Sequence, residues 1–175
     1  MSELKFVITG TAGVGKTTAI AAISDIPPIS TDAETTDELR ELKQATTVAF
    51  DFGEVVVDED TRVRIYGTPG QDRFRHMWEI LSEGALGLVI LVDDSRPDPV
   101  ADLDIYVSNF KKLIDETGLV VGVTRTEGTQ NQEFSSYYEY LESNDIFCPV
   151  MAVDPRRRED MADVMDALMA VVEYA

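Results

Sequence analysis

The sequence predicts an α/β fold, in which a six-stranded, mostly parallel sheet with one antiparallel hairpin carries helices on both faces. Short apolar runs rich in β-branched residues alternate with helical segments along the chain, which is typical of parallel strands joined by crossover helices. Two of these runs are joined by the tight polar turn 58–61, which predicts the hairpin. Residues 86–92 form an uninterrupted apolar stretch, as strands buried on both faces do, and residues 120–124 are predicted to be another buried strand.

The six predicted strands follow from the apolar runs, and four helices follow from the remaining patterned segments. The strands are expected at residues 4–9, 48–57, 62–66, 86–92, 120–124 and 146–153. The helices are expected at residues 17–23, 98–116, 131–143 and 159–173. Residues 24–46 form a long polar segment, and a loop of this length inside a compact domain is usually functional. The length of the chain predicts a single domain over residues 1–175.

The charge and the two chain ends indicate which partners and compartments to expect. The net charge of −18 repels nucleic acid and anionic membranes, so we expect neither as a partner. No apolar run approaches the roughly 18 residues that span a bilayer. Residues 1–5 lead directly into a strand, Ser2 excludes N-myristoylation, and residues 173–175 do not form a prenylation box. These observations predict a cytoplasmic protein without a membrane anchor.

Residues 10–17 read G-T-A-G-V-G-K-T and lie between the first predicted strand and the first predicted helix. The glycines let successive backbone N–H groups turn toward phosphate oxygens, and the following helix adds its positive N-terminal end. Lys16 would neutralise the β- and γ-phosphates, while the Thr17 hydroxyl would ligate Mg²⁺. The motif predicts a P-loop NTPase fold and a bound nucleoside triphosphate, without identifying the base. The residues expected to contact the nucleotide here are Gly10, Ala12, Gly13, Val14, Gly15, Lys16, Thr17 and Thr18.

Two later segments resemble the switches of Ras-like small GTPases, especially those of the Rab type. Residues 46–52 read T-T-V-A-F-D-F and resemble the family's T-I-G-V-D-F, whose threonine senses the γ-phosphate through Mg²⁺. Carried over, that threonine is Thr47, with its neighbour Thr46 as the alternative. Residues 67–74 read G-T-P-G-Q-D-R-F and resemble D-T-A-G-Q-E-R-F, the second switch of the family.

This resemblance implies a small GTPase domain that binds GTP or GDP together with Mg²⁺. It implies that the Gly70 N–H contacts the γ-phosphate and that Gln71 orients the attacking water, with Lys16 as the third catalytic residue. Such a protein is a molecular switch with slow intrinsic GTP hydrolysis. It would signal to a protein partner through residues 25–47 and 67–77.

A narrower resemblance comes from the pairing of T-T-V-A-x-D-F with T-P-G-Q. This pairing is similar to bacterial and archaeal small GTPases of the Mgl-type gliding-motility group and to the related conserved-operon ATP/GTP-binding proteins. That resemblance implies a regulatory partner of the roadblock/LC7-domain type.

The first departure from the family concerns the metal. The family's aspartate before T-x-G is Gly67 here, so the usual carboxylate beside the ion is absent. Asp51 lies on the neighbouring predicted strand and could take its place. The alternative is that Asp51 is a surface residue of an edge strand.

The second departure concerns recognition of the base, because the family's N-K-x-D is replaced by T-R-T-E. Glu127 could accept hydrogen bonds from guanine N1 and from its exocyclic amine, and the stem of Arg125 could cover the base. The Thr124 hydroxyl offers less than the amide of the family's asparagine. Residues 154–156 stand where the family has S-A-K, whose backbone touches the base, and Asp154 and Pro155 are the nucleotide contacts expected there.

Two features admit interpretations outside this switch. Asp93 and Asp94 end an apolar run, either as the Walker B residues of an ATPase or in a structural role, as in Ras-like proteins. A P-loop ATPase and a nucleotide-binding scaffold without turnover therefore stand as alternatives. Trp78 is either a core anchor or a switch-dependent contact for a partner.

Overall fold

A computed structural model describes residues 2–30, 50–70, 75–127 and 134–174. The strands are β1 (Ser2–Gly10), β2 (Ile29–Ser30), β3 (Asp51–Val56), β4 (Thr61–Gly67), β5 (Gly87–Asp93), β6 (Gly118–Thr124) and β7 (Val150–Ala152). The helices are α1 (Lys16–Ile23), α2 (Arg75–Ser82), α3 (Pro99–Asn109), α4 (Lys111–Glu116), α5 (Ser135–Ser143) and α6 (Arg158–Glu173).

The described strands form one sheet in the order β2-β3-β4-β1-β5-β6-β7. β3 runs antiparallel to β2 and β4, whereas the pairs β1–β4, β1–β5, β5–β6 and β6–β7 are parallel. The six predicted strands and the hairpin are confirmed, and the Val57 N–H donates to the Thr61 carbonyl at 3.0 Å across the hairpin turn. The last strand is shorter than predicted, because β7 covers Val150–Ala152 and residues 146–149 before it are not in a strand. β2 adds a seventh strand of two residues at the sheet edge. It was not predicted because so short a strand is defined by its pairing with β3 rather than by a local pattern.

The single helix predicted over 98–116 is two consecutive helices, α3 and α4, and this part of the prediction was wrong. They meet at Phe110, whose backbone angles of φ −106° and ψ 15° depart from helical values. The hydrogen bonds continue through the junction, since the Phe110 N–H donates to Tyr106 and the Ile114 N–H donates to Phe110, both at 2.9 Å. The junction coincides with the stacking of the Phe110 ring on Trp78.

The other predicted helices are confirmed with small shifts of their ends. α1 begins at Lys16 and α6 begins at Arg158, each one residue before the predicted start. α5 begins at Ser135, and residues 131–133 of the predicted helix lie outside the described residues. Across the described ranges, no helix is both long and apolar enough to cross a membrane.

The apolar core has one part on each face of the sheet. Val7 belongs to the part that packs under helices α2 to α5. Its neighbours Phe6 and Ile8 belong to the part that packs under α1 and α6. This alternation along β1 follows from the two-residue period of a strand. The predicted covering of both faces by helices is thereby confirmed.

The carboxyl ends of the five parallel strands lie at one edge of the sheet, where the loops that follow them begin. Because parallel strands point the same way, their carboxyl ends lie side by side, and ligands of open α/β sheets bind at that edge. β3 runs the other way, so it begins at this edge, where Asp51 pairs with Gly67. The strand ends that meet here are Gly10, Gly67, Asp93, Thr124 and Ala152.

Candidate functional site

The loop from Gly10 to Gly15 joins β1 to α1 and has a backbone that requires glycine. Gly10 and Gly15 have φ angles of 150° and 114°, values that other residues rarely adopt. A Cβ on Gly10 would lie 2.5 Å from the Leu91 carbonyl oxygen, and a Cβ on Gly15 would lie 2.8 Å from the Pro155 ring. No side chain caps α1 at Gly15, so its first N–H groups are available to a ligand in the loop.

Lys16 is folded back into this loop. Its Nζ donates to the Gly10 carbonyl at 2.5 Å and to the Thr11 carbonyl at 2.9 Å, and the residue is only 7% exposed. Burial lowers the pKa of Lys16 to about 8, against the opposing effect of the nearby Asp51 carboxylate. The structure therefore places a cation inside the loop, held by two of its backbone carbonyls.

Asp51 lies beside Thr17, and its strand pairs with the strand that ends at Gly67, as expected. The Thr17 hydroxyl donates to Asp51 Oδ2 at 2.6 Å. Gly67 is opposite Asp51 in the sheet, and a Cβ on Gly67 would lie 3.3 Å from the Asp51 Cβ and 2.8 Å from Ile20 Cδ1. Asp51 is thus not an isolated surface carboxylate, and its side chain borders the position where the family carries its own aspartate.

The segment Thr68 to Gly70 packs directly on the loop. Thr68 is fixed to β1, because its N–H donates to Ile8 at 3.0 Å and its hydroxyl is 2.6 Å from that of Thr9. A Cβ on Gly70 would lie 2.5 Å from the Ala12 nitrogen and 2.7 Å from Lys16 Nζ. Residue 70 must therefore be glycine for the segment to approach this closely. Of the other predicted residues, Thr46, Thr47 and Gln71 lie outside the described residues.

Trp78 connects the same segment to the core. Its indole Nε1 donates to the Pro69 carbonyl at 2.7 Å, and the residue is 2% exposed. The ring stacks on Phe110 with centroids 5.6 Å apart and contacts Tyr106 at 5.0 Å. Trp78 is therefore a core anchor that also contacts the segment Thr68 to Gly70.

A cleft of about 690 Å³ extends from the loop along the ends of β6 and β7. Nine predicted residues line it: Gly13, Val14, Gly15, Thr18, Thr124, Arg125, Glu127, Asp154 and Pro155. Seven further lining residues were not predicted: Ser95, Thr126, Ala152, Val153, Arg156, Arg157 and Asp160. The predicted residues Gly10, Ala12, Lys16, Thr17, Asp51 and Gly70 are linked by the contacts around Lys16 and Thr17 described above.

Arg125 forms one wall of the cleft and joins it to the phosphate loop. Its guanidinium donates to Asp93 Oδ2 at 2.5 Å and to the Gly13 carbonyl at 3.0 Å. The other oxygen of Asp93 accepts from the Ser95 N–H at 3.0 Å and from the Ser95 hydroxyl at 2.6 Å. Burial raises the pKa of Asp93, but the hydrogen bonds from Ser95 and the charge of Arg125 outweigh it, so the pKa is lowered overall. This ion pair has no local sequence signal.

Both carboxylates at the end of β5 are engaged by neighbouring side chains. Asp93 holds Arg125, and Asp94 accepts a hydrogen bond from the hydroxyl of Tyr137. These contacts favour the structural interpretation of the pair over a Walker B role. The Tyr137 bond also explains why burial and the Asp94 carboxylate together raise the pKa of this phenol.

The far end of the cleft carries charged and buried polar groups. The Thr124 hydroxyl donates to the Val92 carbonyl at 3.3 Å, and the residue is 1% exposed. Both carboxylate oxygens of Asp154 accept from the Arg156 guanidinium, at 2.7 Å from Nη2 and at 2.9 and 3.2 Å from Nε. These bonds, together with the one from the Arg156 backbone N–H at 3.0 Å, lower the pKa of Asp154 to about 2. The Arg156 charge was missed as a cleft residue because a basic run beside a helix start usually marks a solvated face.

Residues 28–173 match the family described as "Conserved hypothetical ATP binding protein". An uncharacterized protein of Methanocaldococcus jannaschii is 30% identical over 122 residues, covering 69% of this chain and 68% of that protein. Ras-related protein Rab-18 of Lymnaea stagnalis is 27% identical, covering 73% and 65%. Ras-related protein RABD2a of Arabidopsis thaliana is 23% identical, covering 95% and 77%. The chain thus spans about two thirds of the first two relatives. It belongs to this family of conserved hypothetical ATP binding proteins and is more distantly similar to Ras-related proteins.

Proposed function

We propose that this protein is a GTP-dependent molecular switch with slow intrinsic hydrolysis. The observation that carries the proposal is the packing of Gly70 on Ala12 and Lys16, which leaves less than 3 Å for a Cβ. A γ-phosphate bound by the loop would act directly on a segment this close, and its loss would release the segment. Residues 25–47 and 67–77 would carry that difference to a partner.

Mg²⁺ fits the pair Thr17 and Asp51. Both supply oxygen atoms, which Mg²⁺ prefers, and a hydroxyl that donates its proton to a carboxylate keeps a lone pair for a cation. The described residues hold no cluster of three or more His, Cys, Asp or Glu side chains suited to a metal, so phosphate oxygens would complete the ligand set. When bound, the ion would neutralise charge on the phosphates. The resemblance adds Thr47 as a further ligand.

Guanine is the base that we infer, with Glu127 as its acceptor. Guanine presents two N–H donors, on N1 and on the exocyclic amine, whereas adenine presents an unprotonated N1 that a carboxylate repels. Glu127 lines the cleft, and Arg125 is held in its wall by Asp93 and Gly13. The Ras-related relatives support GTP, while the family description names ATP.

Two other functions make different predictions. A P-loop ATPase would need Asp93 or Asp94 on the metal, and the engagement of both by Arg125, Ser95 and Tyr137 argues against it. A nucleotide-binding scaffold would bind GTP without hydrolysing it. Single-turnover kinetics separate this last alternative from the switch.

The partner that we propose is a regulatory protein of the roadblock/LC7-domain type. This proposal rests on the sequence resemblance to the Mgl-type group. The net charge of −18 supports a protein partner over nucleic acid or an anionic membrane.

Competition between nucleotides tests the base. We expect GTP and GDP to displace a fluorescent guanine nucleotide at least tenfold better than ATP or CTP. Glu127→Gln should weaken GTP binding by about tenfold or more, because a hydrogen bond to a charged acceptor contributes about 1.5–3 kcal/mol, and it should leave ATP binding unchanged. Glu116→Gln makes the same chemical change at an exposed residue of α4 outside the cleft, and this variant should bind like the wild type. Tight ATP binding with weak GTP binding would contradict the proposal.

Single-turnover hydrolysis tests Gln71. We expect Gln71→Leu to slow GTP hydrolysis at least tenfold while GTP affinity stays within about twofold, since a residue that orients water acts on the chemical step. Equal rates in both proteins would mean that Gln71 does not participate. Absence of hydrolysis in the wild type would favour the scaffold.

A further inference from the structure

The peptide group between Pro69 and Gly70 is held from one side by Trp78. Its carbonyl, on Pro69, accepts the indole N–H at 2.7 Å. Its N–H belongs to Gly70. In a planar trans peptide the C=O and the N–H point in opposite directions, and the described residues contain no cis peptide bond. The indole therefore determines where the Gly70 N–H points, namely away from Trp78.

The position of the indole is itself set by the core. Trp78 is 2% exposed, and its ring stacks on Phe110 with an interplanar angle of 17°. Tyr106 contacts one side of the ring, and the Arg75 guanidinium lies 5.7 Å from its centroid. Because the core holds the ring, the indole N–H keeps its position even if the segment Thr68 to Gly70 moves. It acts as a rigid support for the Pro69 carbonyl.

The segment needs such a support because its own backbone permits a flip. Pro69 has no N–H, so its carbonyl is its one hydrogen-bonding backbone group. Gly70 lacks a Cβ and tolerates either orientation of the preceding peptide. Thr68 is anchored to Ile8 and Thr9, which fixes the segment upstream of this peptide and leaves its rotation free.

We propose that Trp78 is a positioning residue for the γ-phosphate of the bound nucleotide. By holding the Pro69 carbonyl, it keeps the Gly70 N–H turned away from Trp78. Gly70 packs against the phosphate loop, so this N–H is the one offered to a γ-phosphate bound there. A flipped peptide would instead turn the Pro69 carbonyl toward the phosphates and repel them. The inference rests on the proposed function in one respect, that Gly70 meets a γ-phosphate, and it holds for either base.

The experiment compares triphosphate with diphosphate affinity after loss of the indole N–H. Trp78→Phe keeps an aromatic ring and removes the donor. We expect affinity for a non-hydrolysable triphosphate analogue to fall about three- to tenfold, the effect of one hydrogen bond, while diphosphate affinity stays within twofold. Trp78 is the one tryptophan of the chain, so 3-benzothienylalanine can replace it by residue-wide incorporation, with the same shape and no N–H. Both variants should shift the triphosphate-to-diphosphate ratio equally.

Val164→Ala is the matched control. Val164 is a buried residue of α6, on the other face of the sheet from Trp78, so the variant should lower the melting temperature and leave the triphosphate preference unchanged. An unchanged ratio in both Trp78 variants, or equal weakening of diphosphate and triphosphate, would overturn the inference. The ratio is measured with guanine and with adenine nucleotides. A wild-type preference for ATP would then overturn the proposed function alone, because the adenine ratio still decides the role of Trp78.

Discussion

Replacing Asp51 by alanine is expected to weaken Mg²⁺-dependent GTP binding about a hundredfold. The variant loses the carboxylate that accepts the Thr17 hydroxyl proton at 2.6 Å. Loss of a charge-assisted hydrogen bond beside a divalent cation corresponds to about 3 kcal/mol, or two factors of ten in affinity. Affinity measured in EDTA should change little, since the carboxylate acts through the ion. Titration of fluorescent GTP binding against Mg²⁺ measures both quantities.

A carboxylate transfer makes this test more specific. Gly67→Asp alone should destabilise the protein, because a Cβ there meets Ile20 at 2.8 Å and Asp51 at 3.3 Å. Combined with Asp51→Gly, the same substitution should recover at least tenfold of the lost affinity, since the two positions are paired across the sheet. Glu54→Ala is the control, because Glu54 is on the same strand and pairs with Arg62. Equal losses in Asp51→Ala and Glu54→Ala would contradict a metal role.

Lys16→Ala is expected to lower triphosphate affinity by a hundredfold or more and to change the pH dependence of binding. Two charge-assisted contacts to phosphate are worth about 3–5 kcal/mol together. Burial lowers the pKa of Lys16 to about 8, so the free protein loses this proton above that pH, and binding must take it up again. Wild-type affinity should therefore fall by up to tenfold per pH unit above about 8 and be flat below it. Isothermal titration at several pH values measures this.

Two variants separate the charge of Lys16 from its geometry. Lys16→Arg stays protonated over the whole range, so its affinity should show no step near pH 8. The planar guanidinium of the arginine does not fit where Lys16 Nζ lies 2.5 Å from the Gly10 carbonyl, so the triphosphate affinity of this variant should also remain low. Lys112→Ala removes an exposed lysine of α4 and should behave like the wild type. If the affinity of Lys16→Ala fell by the same amount above pH 8, the pH dependence would belong to another group, and the role given to Lys16 would be contradicted.

The strands were predictable because each is a local run whose composition suits a buried sheet. Three features of the fold were not. α2 (Arg75–Ser82) has only eight residues, too few to show a helical repeat in the sequence, so it was not predicted. The junction at Phe110 leaves the apolar spacing of 98–116 intact, so the pattern of a single helix persists across it. β2 becomes a strand through its hydrogen bonds with β3, which no local window contains.

The phosphate loop was predictable for the same reason, since its spacing is a local property of eight residues. The position of Asp51 beside Gly67 could be expected from strand adjacency. The contact of Arg125 with Gly13 joins residues 112 positions apart, and neither residue type signals it. The indole bond to Pro69 depends on where the core fixes Trp78, so the sequence left its role open.

The sequence by itself determined the strand order along the chain, the phosphate loop and the segments that resemble switches. Each depends on the conformational preferences and hydrogen-bonding groups of neighbouring residues. The tertiary structure decided that Asp51 stands beside Thr17, that Asp93 holds Arg125, and that Trp78 orients the peptide before Gly70. These contacts depend on distances between separate elements, which are set only when the sheet and its helices pack.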